Sequence, residues 1–199
     1  MRVRFSRESE TPPKSHDFGY IWCAMSMQTL RPIPAAAAQL CEALHAPPQL
    51  VRHLTLVHNA AAELLDGLAA AFPSQVIDRE AVLFGAATHD LGKVLHPNEL
   101  RAWGSRHEDD GPALLEQHGV PKLWARFART HGQWQEAGEL EDLIVALADQ
   151  IWCGRRRPDL EERTAKFLAK ANNLAEWIAW SKLDGLLDTI GDQSWHNVV

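Results

Sequence analysis

The sequence predicts an all-α fold in a single domain, on three observations. No stretch sustains the apolar–polar alternation with β-branched residues that a strand requires. Apolar residues recur instead at helical spacing, most clearly at Leu50, Leu54, Val57, Ala61, Leu64 and Leu68. Prolines and glycines fall between the periodic runs, where they start and stop helices.

The elements follow in order. Residues 1–31 carry Arg, Ser, Glu, Pro and Thr without a sustained period and read as a mobile leader, with Met25 or Met27 as an alternative start; the folded domain is expected over 32–199. Pro34 suits a first turn ahead of a helix over residues 35–44. Pro47-Pro48 punctuates before a long helix over 49–72, which Pro73-Ser74 ends. Asp78 has the short acceptor side chain of a cap, and the helix it opens is expected to run to about Lys93. Two registers compete next. Ser105 and Glu108 have capping-box spacing, which places Pro112 inside the helix at a cost of about 3 kcal/mol; a cap at Asp110 instead leaves His107 in a loop. Gly119 and Pro121 separate that helix from one over 122–130. The last helices are expected over 140–156 and 160–187, split at Pro158.

Composition bounds the function. A chain of 199 residues, 46% hydrophobic and 23% charged, is that of one ordinary globular domain. The net charge of −6 argues against duplex nucleic acid as a partner, because a phosphate backbone demands a basic face. No run approaches the 18 or so apolar residues of a membrane span, and the N-terminal residues contain no secretory h-region. Three cysteines without a Cys-x-x-Cys pair fit a reducing cytoplasm.

The chemistry concentrates around Thr88-His89-Asp90-Leu91-Gly92-Lys93. An adjacent His-Asp pair offers a divalent metal an imidazole nitrogen and a carboxylate oxygen from one place on the backbone. In a helix, Lys93 lies one turn on, so a phosphate ester would meet a metal and a cation together. The dipeptide alone is common, as His16-Asp17 shows; its company makes it informative. His53 stands upstream, and His107, His131 and Asp149 follow at intervals of about one helix plus a turn. Asp149 lies in a strongly apolar helical stretch, where an unpaired carboxylate costs several kcal/mol. His131 before Gly132 also suits a plain helix C-terminus, and His107 stands in a polar run. His53 competes with His58. The two point about 140° apart on a helix, and each lies within about 80° of the apolar stripe, so periodicity does not choose between them.

As a set, His53, His89-Asp90, His107, His131 and Asp149 resemble the HD superfamily of metal-dependent phosphohydrolases over roughly residues 50–157. The contexts match too. His53 is followed by the small apolar Val57 and Ala61; the pair sits in Ala-Ala-Thr-His-Asp-Leu-Gly-Lys; Gly111 follows His107; and Asp149 sits in Ala146-Leu147-Ala148-Asp149-Gln150-Ile151. That context favours His53 over His58.

The resemblance implies an HD-type helical bundle of the binuclear branch. His53, His89, Asp90 and Asp149 would hold one ion, and Asp90 would bridge to a second held by His107 and His131. Imidazole and carboxylate donors suit Fe, Mn, Zn or Ni. The implied activity is hydrolysis of a phosphoester or phosphoanhydride of a small phosphorylated molecule, expected to be a nucleotide, by a metal-activated hydroxide. Lys93 is the expected catalytic and substrate cation. Arg156, two turns beyond Asp149 if the helix continues, is expected to reach a substrate phosphate. Trp103, Trp124, Trp134 and Trp152 fall close to ligand candidates and are candidate pocket walls. Two other readings stay open: an HD-type di-iron oxygenase, and a non-catalytic sensor that keeps the fold.

Overall fold

The computed structural model describes residues 30–192, all of whose regular elements are helical. Residues 1–29, which hold nearly all of the expected leader, lie outside the described residues. Arg31, assigned to the leader by its composition, belongs to the fold: its backbone N–H donates to Asn59 Oδ1 (2.7 Å), and its guanidinium pairs with Glu63 and Asp66.

Helix α1 (Ala35–Ala43) begins after Pro34, and α2 (Pro48–Ala71) carries Pro48 in its first turn. The missing proline N–H costs nothing there, because the first N–H groups of a helix have no intrahelical acceptor. The α2 stripe Leu50, Leu54, Val57, Ala61, Leu64 and Leu68 is buried along its whole length. Asp78 caps α3 (Arg79–Ala86), its carboxylate accepting from the Ala81 N–H at 3.0 Å.

Helix α3 is buried on two sides. Ala81, Val82 and Ala86 join a core built with α2, α7 (Leu140–Ile151), α8 (Pro158–Asn172) and α9 (Glu176–Gly191). Phe84, Ala87 and Leu91 join a second core with α1, the start of α2, and α5 (Lys122–Ala125). The His-Asp pair therefore follows a segment held from both faces.

The α3 helix ends at Ala86 and does not reach Lys93. Past it, the Thr88 hydroxyl bonds back to the Phe84 carbonyl, and His89 Nδ1 takes the Ala86 carbonyl. Side chains thus occupy acceptors around the turn, and the chain tightens into a 3-10 turn over Leu91–Val94. A 3-10 turn eclipses residues three apart, so Lys93 still lies beside Asp90. Gly92 permits the close approach of this turn to α4 (Arg106–Gln117), since a Cβ there would stand 2.4 Å from the His107 carbonyl oxygen.

Of the two registers for α4, the earlier one is found. The helix starts at Arg106 and contains Pro112, and His107 is buried in its first turn. Ser105 makes no capping bond. Glu99 takes that role from a preceding 3-10 turn (Pro97–Leu100), its carboxylate accepting the N–H groups of Arg106 and His107 at 3.2 Å each. The segment expected as one helix over 122–130 is two short ones, α5 and α6 (Phe127–Thr130).

Two more boundaries differ. Helix α7 stops at Ile151, five residues before Arg156. The expected last helix over 160–187 is a hairpin of α8 and α9, because Asn173 adopts the left-handed conformation (φ 51°, ψ 46°) that closes α8. The hairpin seats Leu183, Leu187 and Ile190 against the core. Among the described residues no helix is long and apolar enough to cross a membrane.

Candidate metal centre

Five elements bring the six candidate ligands together: His53 from α2, His89-Asp90 from the turn after α3, His107 from the first turn of α4, His131 from the end of α6, and Asp149 from α7. His53 Nε2 lies 3.1 Å from Asp90 Oδ2, 3.2 Å from Asp149 Oδ1 and 3.3 Å from His89 Nε2. His89 Nε2 is 3.3 Å from Asp149 Oδ1 and 3.7 Å from Asp90 Oδ2. Donors that share an ion at about 2.1 Å stand about 3 Å apart, so these separations suit a common cation. The second set faces the other oxygen of the same carboxylate. Asp90 Oδ1 lies 3.1 Å from His107 Nε2 and 3.5 Å from His131 Nε2.

Three imidazoles are fixed in the tautomer that a metal needs. The Nδ1 atoms of His89, His131 and His107 lie at 2.9, 3.1 and 2.7 Å from the Ala86 carbonyl, the Phe127 carbonyl and Glu99 Oε2. Each Nδ1 can only donate to such an acceptor, which leaves the Nε2 lone pair pointing into the cluster. Lone pairs converge in this way only around a cation or a proton. Asp90 Oδ1 is buried and accepts no well-formed hydrogen bond, as suits an oxygen reserved for an ion.

The electrostatics of the bare side chains agree. Burial alone would lower the pKa of His53, but Asp149 and Asp90 outweigh it and hold it at about 9. Burial would raise Asp90 and Asp149, yet the surrounding imidazoles keep both well below the usual carboxylate range. His131 is pushed down to about 4, first by burial and then by His89. Two ionised carboxylates thus sit among imidazoles, with a proton on His53 where a metal would compete.

Neighbouring side chains hold the candidate ligands in place. Asp142 on α7 is buried and accepts from Arg126 Nε (2.9 Å) and Thr130 Oγ1 (2.8 Å), which ties α6, and so His131, to α7. The Trp152 ring packs edge-on against His53 at 5.3 Å. Glu99 has no counterpart in the sequence reading: it stands eight residues from His107 with no periodic or motif signal.

The cluster opens into a cavity of about 600 Å³, which Lys93, Trp103, Trp134 and Trp152 also line. Lys93 Nζ donates to Asp90 Oδ2 at 2.5 Å. Trp124 is half-buried against the core instead, its ring tilted on Phe84 with 5.0 Å between ring centres. His58 is buried on the far flank of α2 and takes no part. Arg156 departs from expectation. With α7 ended at Ile151, it turns away and pairs with Glu161, Asp184 and Asp188, while Arg155 and Arg157 join the cavity lining.

Residues 36–151, more than half the chain and running from α1 to the end of α7, match the family model described as the HD domain. No curated protein and no solved structure matches the chain.

Proposed function

The chain belongs to the HD domain family, and from that premise we propose that it is a phosphohydrolase with two divalent ions, acting on a small phosphorylated molecule, most simply a nucleotide. One observation carries this reading: the two oxygens of Asp90 face two separate donor sets, His53, His89 and Asp149 on one side and His107 and His131 on the other. A carboxylate so placed would hold two divalent ions, one together with His53, His89 and Asp149 and the other with His107 and His131. Bound there, such ions supply Lewis acidity to a phosphoryl oxygen and acidify water.

The chain's own groups do the rest. The Nδ1 acceptors keep the imidazoles aimed before any ion arrives, so little reorganisation is needed on binding. Lys93 stands at the cavity side of Asp90 and can pass its ammonium to a phosphoryl oxygen once that carboxylate is engaged. Trp134 and Trp152 give the cavity flat apolar walls of the kind that accept a nucleobase. No serine or cysteine nucleophile is required.

Asp90→Ala tests the reading. Metal content should fall, and turnover of p-nitrophenyl phosphate and of a nucleotide panel should drop by at least about 10²-fold, with the helical CD spectrum kept. Full activity with unchanged metal would sink it.

A further inference from the structure

We infer that the cavity is built for a substrate carrying at least two anionic phosphoryl groups, the scissile one at the metal centre and a second held at the mouth by Arg101, Arg155 and Arg157. This rests on the phosphohydrolase reading above and narrows its substrate class.

Arg31, Arg79, Arg126, Arg129, Arg156 and Lys166 each meet a carboxylate. Arg101, Arg155 and Arg157 line the cavity, and among the described residues their guanidinium groups form no ion pair. In a chain of net charge −6, carboxylate partners are plentiful, so three unpaired arginines around one opening are not a shortage of acid. A run such as Arg155-Arg156-Arg157 would ordinarily be a solvated helix end. Here the run divides: the middle residue is consumed by Glu161, Asp184 and Asp188, and its two neighbours are left on the cavity.

Depth separates the two anion sites. The metal-ligand candidates and Lys93 form the floor, with His89, Asp90, His107 and His131 buried. The three arginines are exposed and form the rim. A single phosphate seated on the floor uses Lys93 and leaves the rim without a partner; a second phosphoryl group further along the molecule meets it. Guanidinium suits that task, since its planar fork gives two parallel hydrogen bonds to phosphate oxygens. Arg155 is also steadied. Its guanidinium lies 5.9 Å from the centre of the Trp103 ring, which joins the loop after the Pro97–Leu100 turn to the loop after α7 across the mouth. Trp103 is 95% exposed, so this contact, and not core packing, accounts for its place. A guanidinium held over a ring keeps N–H groups free for an oxygen acceptor.

The test compares methylenebisphosphonate with methylphosphonate, neither of which can be hydrolysed at its C–P bonds, by calorimetry on the metal-loaded protein. The wild-type chain should bind the bisphosphonate at least about tenfold more tightly, as one charge-assisted hydrogen-bonded contact supplies. In the Arg155→Ala/Arg157→Ala double variant that ratio should collapse towards one. Lys122→Ala, which removes an exposed charge away from the cavity, should leave it unchanged. Equal affinities of the wild-type chain for the two probes, or the same ratio in the double variant, would overturn the inference. Turnover of a panel of nucleoside mono-, di- and triphosphates is read separately: absence of hydrolysis of all of them would count against the hydrolase reading, while the binding ratio still decides the rim.

Discussion

Glu99 does two jobs with one carboxylate. It accepts two N–H groups at the start of α4 and receives the Nδ1 proton of His107 at 2.7 Å, so helix start and ligand orientation are set together. The His107 contact also holds Glu99 below its ordinary carboxylate pKa, against the opposing effect of burial. On the two-ion reading, Glu99→Ala should weaken the second ion by about 10- to 100-fold, and metal analysis after dialysis against buffered metal should fall towards one ion per chain. Glu99→Gln, which keeps an oxygen acceptor for His107, should restore most of the occupancy. Unchanged stoichiometry in Glu99→Ala would show that His107 is held by packing alone. None of this is legible locally. His107 could be picked out by type and order, but its support comes from a loop whose own sequence, Pro97-Asn98-Glu99, suggests only a turn.

Among the elements, α2 shows what periodicity can and cannot do. It announced the helix and its buried stripe, and it left His53 and His58 equivalent, because both flank that stripe. The structure turns His53 towards Asp90 and Asp149 and buries His58 on the other flank with Nδ1 unpartnered. Burial, and then Arg31 and Arg79, lower the His58 pKa from 6.5 to about 4. The sign follows from linkage. Between pH 6.5 and 4 the unfolded chain takes up the proton first, so the stability that neutral His58 contributes is complete above 6.5 and is lost as pH falls towards 4, by about 3 kcal/mol in all. His58→Leu should therefore flatten the acid limb of a denaturation-versus-pH profile over that window and leave metal content unchanged. A parallel acid limb, or a loss of metal, would contradict this placement. The elements that ran differently from expectation share a cause. Helix α3 ends early because Thr88 and His89 take up carbonyls at its end, and α8 ends because Asn173 turns left-handed; in both cases a short polar or ring side chain at the boundary sets the stop.

At the scale of the molecule, two cores hold the centre between them, and the candidate ligands come from segments that span almost a hundred residues of chain, from His53 to Asp149. Metal should therefore act as a cross-brace. At metal concentrations about 100 times Kd, binding contributes about 2.7 kcal/mol, and chelation should lower Tm by roughly 5 to 10 °C. The pH dependence has a definite sense. In the metal-free state the raised pKa of His53 makes its pairing with Asp149 and Asp90 fully stabilising below pH 6.5 and lost as pH rises through about 9. A metal displaces that proton, so metal affinity rises over the same window. The Tm difference between loaded and chelated protein should widen from pH 6.5 to 9; a constant gap would place the competing proton elsewhere.

The sequence by itself determined the helical class, the main helices and the chain order of the histidines and aspartates. Those features are written in local periodicity and residue type, and each helix can be read without knowing its neighbours. Only the tertiary structure decided how each side chain is used. Asp90 faces two donor sets because five elements converge on it. Arg156 is drawn to Glu161, Asp184 and Asp188, and leaves the cavity to Arg155 and Arg157, because α7 stops at Ile151 and the α8–α9 hairpin presents those acids. Partnerships between charges distant in sequence depend on which surfaces the cores bring together, and no window along the chain contains that information.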